Sequence, residues 1–236
     1  MVEKDLGFLL KRHNFRETSV IASIYTSRFG KITGILKGFY TQKKEFSSTL
    51  SVGSLNEFIF YPKKREIWLV SFVDLIKDYS FLRSDFNRAK ICMRVIELVE
   101  RTMQSWDANS AVFELLRQSF SGLEEERKVF HIFLIKFLTL SGFKPQLDRC
   151  ILCHEGLGER VFFSVSKGGL VCADCAGLAH DLRRISRETL ASLLYIQNND
   201  FSKVYRLNPT LACEEEIAYI LREFIQYHLD FDIQSH

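Results

Sequence analysis

Short apolar segments fill the first 78 residues of the chain. Five such segments, rich in Ile, Val, Phe and Tyr, are separated by turn material such as Arg28-Phe29-Gly30 and Tyr61-Pro62. They are GFLLKRH, SVIASIYTS, KITGILKG, LNEFIFYP and EIWLVSFVDLI. Five strands in so short a stretch predict a small barrel. The OB-fold is the small barrel whose open face habitually binds oligonucleotides.

From about residue 84 the apolar residues recur at the three- and four-residue steps of amphipathic helices. In NRAKICMRVIELVERTM this places Cys92 on the apolar face, so Cys92 is a predicted core residue. EEERKVFHIFLIKFLTL is apolar nearly all round in its middle and is followed by Gly142 and Pro145, which predicts a helix at the centre of a bundle. Three further helices are predicted over SAVFELLRQSF, ISRETLASLLYIQ and CEEEIAYILREFIQYHL.

Together these patterns predict an α+β multidomain chain. A five-stranded OB-fold barrel comes first, and a helical bundle domain carrying an inserted four-cysteine zinc module follows it. The predicted boundaries are 1–80 for the barrel, 81–145 for the first part of the helical domain, 146–178 for the metal module and 179–236 for the second part. A chain of 236 residues is long enough to bury such cores without disulfides.

The cellular compartment follows from what the chain lacks. No apolar run approaches the roughly 18 to 20 residues of a membrane span, since the longest, VFHIFLIKFLTL, carries His131 and Lys136. The N-terminus has no export-type apolar segment. We therefore expect a cytoplasmic protein, whose reduced cysteines hold metal or catalyse more often than they form disulfides.

Two C-x-x-C pairs stand in the predicted metal module. Cys150 and Cys153 form the first pair, and Cys172 and Cys175 follow at a separation typical of a four-thiolate site. Between the pairs, RVFFSVSKGGLV alternates and turns like a hairpin, which would bring the second pair back over the first. All four positions are filled by protein, so we expect one structural Zn²⁺ per chain rather than a catalytic metal.

Other chemistries remain open for these cysteines. C-x-x-C followed by His154 matches a haem c attachment site, but that cofactor requires export and leaves the second pair unused. A redox pair would need a βαβ context, which the pattern lacks, and iron is the alternative metal for four thiolates. His154 is interpreted as a bystander, and Cys213 as incidental.

Net charge is +3, and it is unevenly distributed. Residues 1–78 hold 13 Lys and Arg against 8 Asp and Glu, whereas the remaining residues hold 19 against 21. A basic N-terminal third predicts an anionic partner for the barrel. KGFYTQKKEF interleaves cations with aromatic rings, the combination that single-stranded nucleic acid requires, although the same rings could instead pack on the barrel.

A second basic stretch, HDLRRISRET, is predicted to open a helix. Arg183, Arg184 and Arg187 would then crowd the positive end of the helix dipole. An acidic peptide or a phosphate would compensate, so these arginines are a candidate partner site; a solvated or salt-bridged surface is the alternative.

The N-terminal run LLKRHNFRETSVIASIYTSRFGKITGILKG, the helical middle and the two cysteine pairs inside it resemble the RecO family of bacterial DNA repair proteins and recombination mediators. The specific part is a Glu-Thr turn, a strand ending in Tyr-Thr, and a Phe-Gly-Lys turn leading to Lys-Gly. Relatives often carry several arginines after Lys-Gly, whereas this chain has Phe39-Tyr40-Thr41-Gln42. This difference argues against a phosphate-binding site made of arginines and favours base stacking by Phe39 and Tyr40.

The resemblance implies a non-enzymatic mediator associated with the nucleoid. It would bind single- and double-stranded DNA, anneal complementary strands, and work with RecR and the C-terminal tail of single-strand-binding protein to load RecA, in the RecFOR pathway. DNA contacts carried over from the family are Lys37, Lys43 and Lys44, with Arg12, Arg16, Arg28 and Lys31 less securely.

Enzyme motifs are missing from the sequence. It contains no nucleotide-binding P-loop, no H-E-x-x-H and no Gly-flanked nucleophilic serine. Two rival functions remain: a zinc-containing protein–protein adaptor without direct DNA binding, and a metal-dependent nuclease. For the nuclease, the acidic run at residues 124–126 points around a helix rather than at one metal, and a helix N-terminus explains it better.

Overall fold

The computed structural model describes residues 2–40, 50–63, 67–79, 85–122 and 126–233, apart from the side chains of residues 126 and 127. It divides into two compact units, Met1–Leu123 and Glu124–His236. The sequence placed the first two helices with the later ones, from residue 81 onward. In the structure they belong to the same unit as the barrel.

Five strands of the first unit close into a barrel with the order β1-β2-β3-β5-β4. The strands are β1 (Glu3–Phe15), β2 (Ser19–Thr26), β3 (Gly30–Leu36), β4 (Leu55–Tyr61) and β5 (Trp68–Lys77). All pairings are antiparallel except β3 with β5, which meet in parallel at Gly34 and Ile35. The predicted five-stranded barrel is confirmed.

Strand β1 is long enough to serve two neighbours. Its first half pairs with β4 and its second half with β2, and the register shifts between Leu9 and Lys11, where a bulge bends the strand. Alternate residues of the strands fill the interior with apolar side chains, among them Ile24, Phe58 and Phe60, none of which is exposed to solvent. This period-two pattern is why the sequence predicted the strands so directly.

Two helices complete the first unit: α1 (Phe86–Thr102) and α2 (Ser110–Ser121). Each begins at a side-chain cap, because Asp85 accepts a hydrogen bond from the amide of Arg88 and Asn109 accepts one from that of Val112. Cys92 is buried on the inner face of α1, as predicted.

The segment between α1 and α2 packs on the barrel. The Trp106 ring lies 5.0 Å from the Trp68 ring, and the Trp106 amide donates to the carbonyl of Lys31 at 3.0 Å. The Tyr25 hydroxyl donates to the carbonyl of Asn109, and burial raises the pKa of Tyr25. Gly30 adopts φ +69, and a Cβ there would lie 2.2 Å from the carbonyl oxygen of Asp107. No larger residue fits this approach.

The second unit combines helices with a three-stranded antiparallel sheet of order β7-β6-β8. Its elements are α3 (Glu126–Leu140), β6 (Val161–Ser164), β7 (Gly169–Cys172), β8 (Leu182–Ile185), α4 (Arg187–Asn198), α5 (Phe201–Val204) and α6 (Leu211–Leu229). The hairpin predicted between the cysteine pairs is β6–β7. Helix α3 is buried along its middle and contacts both α4 and α6, so its predicted central place is confirmed.

Lys136 of α3 caps the C-terminal end of helix α4. Its ammonium group donates to the carbonyls of Asn199 and Gln197 at the C-terminal end of that helix, where a cation is favoured. Burial lowers the pKa of Lys136. None of the helices in the described ranges is both long and apolar enough to cross a membrane.

Candidate metal centre and nucleic-acid surface

Four sulfurs meet in the second unit. The Sγ atoms of Cys150, Cys153, Cys172 and Cys175 all lie within 4.8 Å of one another. Those of Cys153 and Cys172 are 3.8 Å apart. A tetrahedral ion with bonds of about 2.3 Å to sulfur requires sulfur–sulfur edges of about 3.8 Å, so this arrangement fits a tetrahedral metal ion.

Backbone hydrogen bonds shape the first knuckle. The Cys150 amide donates to the carbonyl of Glu155 at 3.0 Å, and the His154 amide donates to the carbonyl of Cys150 at 2.9 Å. His154 takes a left-handed conformation, with φ +63, to close this turn. Its imidazole is not needed as a ligand, because four sulfurs already complete a tetrahedron.

The second knuckle is tied to the first through β7. Cys172 is the last residue of β7, and its amide donates to the Cys150 sulfur at 3.4 Å. The Ile151 amide donates to the carbonyl of Leu170 at 2.8 Å, which fixes the first knuckle to the same strand. Cys175 then precedes a short 3₁₀ turn at Ala176–Leu178. Pairing β7 with β6 therefore positions both knuckles.

Without a bound cation the sulfurs titrate unevenly. Burial disfavours the charged form of Cys150, but hydrogen bonds from the amides of Cys153 and Cys172 outweigh it and lower the pKa of Cys150. The neighbouring Cys172 sulfur, followed by burial, raises the pKa of Cys175. The thiolate form is therefore favoured at Cys150 and disfavoured at Cys175. A bound divalent cation would favour the thiolate form at both residues, because its charge offsets their mutual repulsion.

This cluster could hold a metal ion, and every ligand position would be occupied by protein. The other two cysteines lie apart from it: Cys92 is in the core of the first unit, and Cys213 is buried between the hydroxyl groups of Thr189 and Ser192. A closed four-sulfur site joins two turns of the chain and leaves no place for a substrate or an activated water.

The barrel gathers part of the predicted DNA-binding set at one end. Asn14 of β1 lies opposite Val20 of β2, which in turn lies opposite Leu36, the last residue of β3. The β1–β2 turn and the segment after β3 therefore leave the barrel at the same end. We call this end the basic mouth; its predicted contacts are Arg12, Arg16, Lys37, Phe39 and Tyr40.

Aromatic and cationic side chains interleave at the basic mouth. The Arg12 guanidinium lies 6.0 Å from the centre of the Phe39 ring, and the Phe39 and Tyr40 rings meet edge to face at 5.1 Å. Arg12, Arg16 and Lys37 are exposed. Tyr40 keeps 50% of its surface in solvent, while Phe39 packs partly against the barrel core. Tyr40 is thus the more accessible ring.

Two contacts fix the position of Tyr40. Its hydroxyl donates to the Asn14 side-chain oxygen at 2.5 Å, and its amide donates to the carbonyl of Thr18 at 3.3 Å. The sequence did not single out Asn14, because an asparagine in a strand carries no signal for a partner 26 positions further on.

Arg28 lies at the opposite end of the barrel, in the β2–β3 turn. It forms ion pairs with Glu3 at 3.3 Å and Asp5 at 3.6 Å, and it donates to the carbonyl of Lys4. Thr26, at this end of β2, is six residues from Val20, or roughly 20 Å along the strand. Arg28 therefore does not share a surface with Arg12 and Lys37.

Lys31, at the same end as Arg28, is half-buried. Its ammonium group donates to the carbonyl of Glu100 near the end of α1, and burial lowers the pKa of Lys31. A cation placed at the C-terminal end of a helix stabilises the helix dipole and an otherwise unpaired carbonyl. This geometry gives Lys31 a structural role. Lys43 and Lys44 lie outside the described residues.

Replacing Lys31 with methionine is expected to lower the free energy of unfolding by about 1–2 kcal/mol, because the charged hydrogen bond to Glu100 is lost. Urea denaturation measures this. DNA affinity should stay within a factor of about two. Lys4→Met is the matched control, because the exposed Lys4 side chain forms a surface ion pair with Glu57 and its loss should cost less than about 1 kcal/mol. Unchanged stability with weakened DNA binding would instead support the contact predicted for Lys31.

The three arginines of the predicted partner site belong to two different elements. Arg183 and Arg184 belong to strand β8, and only Arg187 lies in the first turn of α4. The helix starts where it was predicted, but of the three arginines only Arg187 lies in its first turn. The guanidinium of Arg183 stacks 3.6 Å from the Tyr219 ring centre, and Arg187 donates to the carbonyl of Gly158 at 3.2 Å. Helix α4 has its own cap, Ser186.

Two family models together match nearly the whole chain. Residues 1–79 match the family model "Recombination protein O N terminal", and residues 83–236 match "Recombination protein O C terminal".

Curated relatives match over nearly their full lengths. A protein of Syntrophus aciditrophicus is 29% identical over 241 residues, covering 98% of this chain and 93% of the relative. One from Caldicellulosiruptor saccharolyticus is 28% identical over 234 residues, with 98% and 95% covered. One from Alkaliphilus metalliredigens is 26% identical over 234 residues, with the same coverage. Each is named DNA repair protein RecO.

Proposed function

The chain belongs to the RecO family of DNA repair proteins, and from this premise we propose that it binds single- and double-stranded DNA through its barrel and anneals complementary strands. The observation that carries the proposal is the basic mouth, where exposed cations from two parts of the chain meet an accessible aromatic ring.

Each part of the basic mouth supplies one requirement of DNA binding. Arg12, Arg16 and Lys37 would neutralise phosphates and release counterions. Tyr40, held by Asn14, presents a ring face on which an unpaired base can stack, a contact worth about 1–3 kcal/mol per base. Stacking tolerates every base, which suits a protein that must bind any sequence.

Annealing then needs no chemical step. Cations at the basic mouth reduce the repulsion between two phosphate backbones, and base pairing provides the free energy that joins the strands. Strands held by their backbones and by a single stacked base keep their remaining bases accessible for pairing. We accordingly propose that the protein is not an enzyme.

The four-sulfur cluster is proposed to bind one structural Zn²⁺ per chain. Four thiolates in a tetrahedron favour zinc where no redox partner is present. Bound zinc would supply charge neutralisation and covalent-like cross-linking of the two knuckles. The residues Cys150, Cys153, Cys172 and Cys175 would thereby fix the β6–β7 hairpin against the segment that precedes it.

The wider pathway follows from the family. We propose that the protein acts in the bacterial cytoplasm, at the nucleoid, together with RecR and with the C-terminal tail of single-strand-binding protein, and that it helps to load RecA onto DNA coated with that protein. Similarity to relatives named for DNA repair supports this placement.

Binding to a fluorescent single-stranded oligonucleotide should weaken steeply with salt. Three cations at the basic mouth predict a slope of log affinity against log salt of about −2, from roughly −0.7 per neutralised phosphate. Fluorescence anisotropy between 0.05 and 0.3 M salt, on the order of the physiological range, measures it.

A flat salt dependence, or no binding in dilute buffer, would contradict the proposal and favour a protein–protein adaptor. The basic charge of the barrel would then serve solubility alone. Strand cleavage that requires Mg²⁺ and co-purifies with the protein would favour a nuclease.

A further inference from the structure

Strand β8 forms one edge of the three-stranded sheet. Within the part of the chain that the structure describes, β8 pairs only with β6, from Val161 opposite Ile185 to Ser164 opposite Leu182. The other edge is covered, because the Leu170 amide of β7 donates to the carbonyl of Gln146 at 2.9 Å. An open edge presents backbone donors and acceptors to an additional strand.

A groove runs beside this open edge. Two cavities, of about 620 and 770 Å³, adjoin each other between β8 and α6, because the stacked side chains of Arg183 and Tyr219 form a wall of both. We call the two cavities together the groove. Along α6 its wall extends from Ala212 to Tyr227, a distance of about 22 Å at the rise of an α-helix. An extended chain of about seven residues has the same length.

The groove is acidic. Its walls contain two arginines, Arg183 and Arg222, and five acids, which gives a formal charge of −3. The acids are Asp181, Glu188, Glu215, Glu216 and Glu223. Both arginines are engaged, because Arg183 stacks on Tyr219 and Arg222 forms an ion pair with Glu223 at 3.0 Å. Asp181, Glu188 and Glu216 accept hydrogen bonds from uncharged groups, which leave their negative charge in place. An incoming segment would therefore meet a negative surface.

Aromatic side chains add to the attraction for cations. Tyr219 already accepts the guanidinium of Arg183 on its ring, and Tyr227, further along α6, is 62% exposed. A lysine or arginine lying over an exposed tyrosine ring gains roughly 0.5–1 kcal/mol.

A second copy of the chain is a poor occupant for this edge. Pairing β8 with its own copy would bring Arg183 and Arg184 close to the same residues of the other copy. Like charges facing each other across paired strands are destabilising.

We propose that β8 and α6 form a docking groove for an extended segment of a partner protein, which joins the sheet as a fourth strand and carries lysine or arginine at alternate positions. Side chains of a strand point alternately to opposite faces. Arg183 faces α6 and the acids, so the cations of the segment belong on that face. Arg184 lies on the other face, where cations would be repelled.

This inference reverses the charge expected from the sequence. An acidic partner was predicted for Arg183, Arg184 and Arg187 because they were expected to crowd a helix start. In the structure the acids around Arg183 outnumber the cations. The proposal is independent of DNA binding, which involves the first unit.

A seven-residue peptide of alternating lysine and valine, capped at both ends, tests the groove on the full-length protein. Hydrogen exchange followed by mass spectrometry should show slower exchange of the amides of residues 182–185 when the peptide is added, and no change in the barrel strands. A peptide of the same composition with its lysines consecutive, and one with glutamate in place of lysine, should bind at least roughly fivefold more weakly by fluorescence anisotropy.

Glu215→Lys reverses an exposed charge on the groove wall and is expected to weaken binding of the alternating peptide roughly fivefold or more. Glu159→Lys makes the same change at an exposed acid outside the groove and should leave binding unchanged. Equal binding of all three peptides, preference for the glutamate peptide, or no protection of β8 would overturn the proposal. So would concentration-dependent dimerisation that itself protects β8.

Discussion

Cys172→Ser is expected to abolish stoichiometric zinc and to lower the free energy of unfolding of the second unit by about 4 kcal/mol or more. Cys172 ends strand β7 and supplies one of the four sulfurs, so loss of its thiolate leaves the metal site one ligand short, although the backbone amide of residue 172 can still donate to the Cys150 sulfur. Elemental analysis of the purified protein measures the metal. Thermal unfolding followed by circular dichroism measures the stability.

Cys213→Ser is the matched control. Cys213 is also buried, but its sulfur contacts the hydroxyl groups of Thr189 and Ser192. A serine at position 213 can form hydrogen bonds with both hydroxyl groups in its place. This variant should keep one zinc per chain and lose at most about 1–2 kcal/mol. A Cys172→Ser protein as stable as the control would show that the four sulfurs do not brace the fold.

The triple variant Arg12→Ala, Arg16→Ala, Lys37→Ala is expected to lose roughly 100-fold in affinity for single-stranded DNA at 0.1 M salt. Removing three phosphate contacts reduces the slope of log affinity against log salt concentration by about 2. If the variant and the wild type bind equally at about 1 M salt, their affinities then differ roughly 100-fold at about 0.1 M salt. Fluorescence anisotropy over a range of salt concentrations provides both quantities. Strand annealing, followed by the quenching of two complementary labelled oligonucleotides, should slow in parallel.

Arg28→Ala separates the two ends of the barrel. Like each substitution of the triple variant, it removes one cation. That cation lies at the end of the barrel opposite the basic mouth, where Glu3 and Asp5 already neutralise the charge of Arg28. Its affinity for DNA should therefore stay within about twofold of the wild type. If Arg28→Ala weakens binding as much as Arg12→Ala, the DNA path does not lie at the basic mouth alone.

The parts of this fold that sequence predicts best are governed by local periodicity. The five predicted strands coincide with β1 to β5 because alternate residues, such as Ile24 and Phe58, must face one interior. The meeting of the four sulfurs was predictable for a different reason. A hairpin between two C-x-x-C pairs brings the second pair back beside the first. In both cases residues close in sequence carry the constraint.

Long-range contacts escaped sequence reasoning. Lys31 was carried over from the family as a less secure DNA contact, and nothing local in the sequence indicated that its ammonium group donates to the carbonyl of Glu100, nearly seventy residues later. Arg183 and Arg184 were expected only to lie beside the start of the helix ISRETLASLLYIQ, and no strand was predicted for them. The strand before it is only four residues long and is held by pairing with β6, which a local pattern cannot show.

The dependence of the barrel on residues 100–109 has a practical consequence for dissecting the protein. Tyr25, Lys31 and Trp68 all belong to strands, yet each has a partner in this segment, and Gly30 lies directly beneath Asp107. A fragment truncated near residue 80 would expose the Trp68 ring to water and leave the Lys31 ammonium group without its partner, the carbonyl of Glu100. We therefore expect the smallest autonomously folding unit to run to the end of α2, as the compact unit Met1–Leu123 does, and proteolytic domain mapping should find its first stable boundary there.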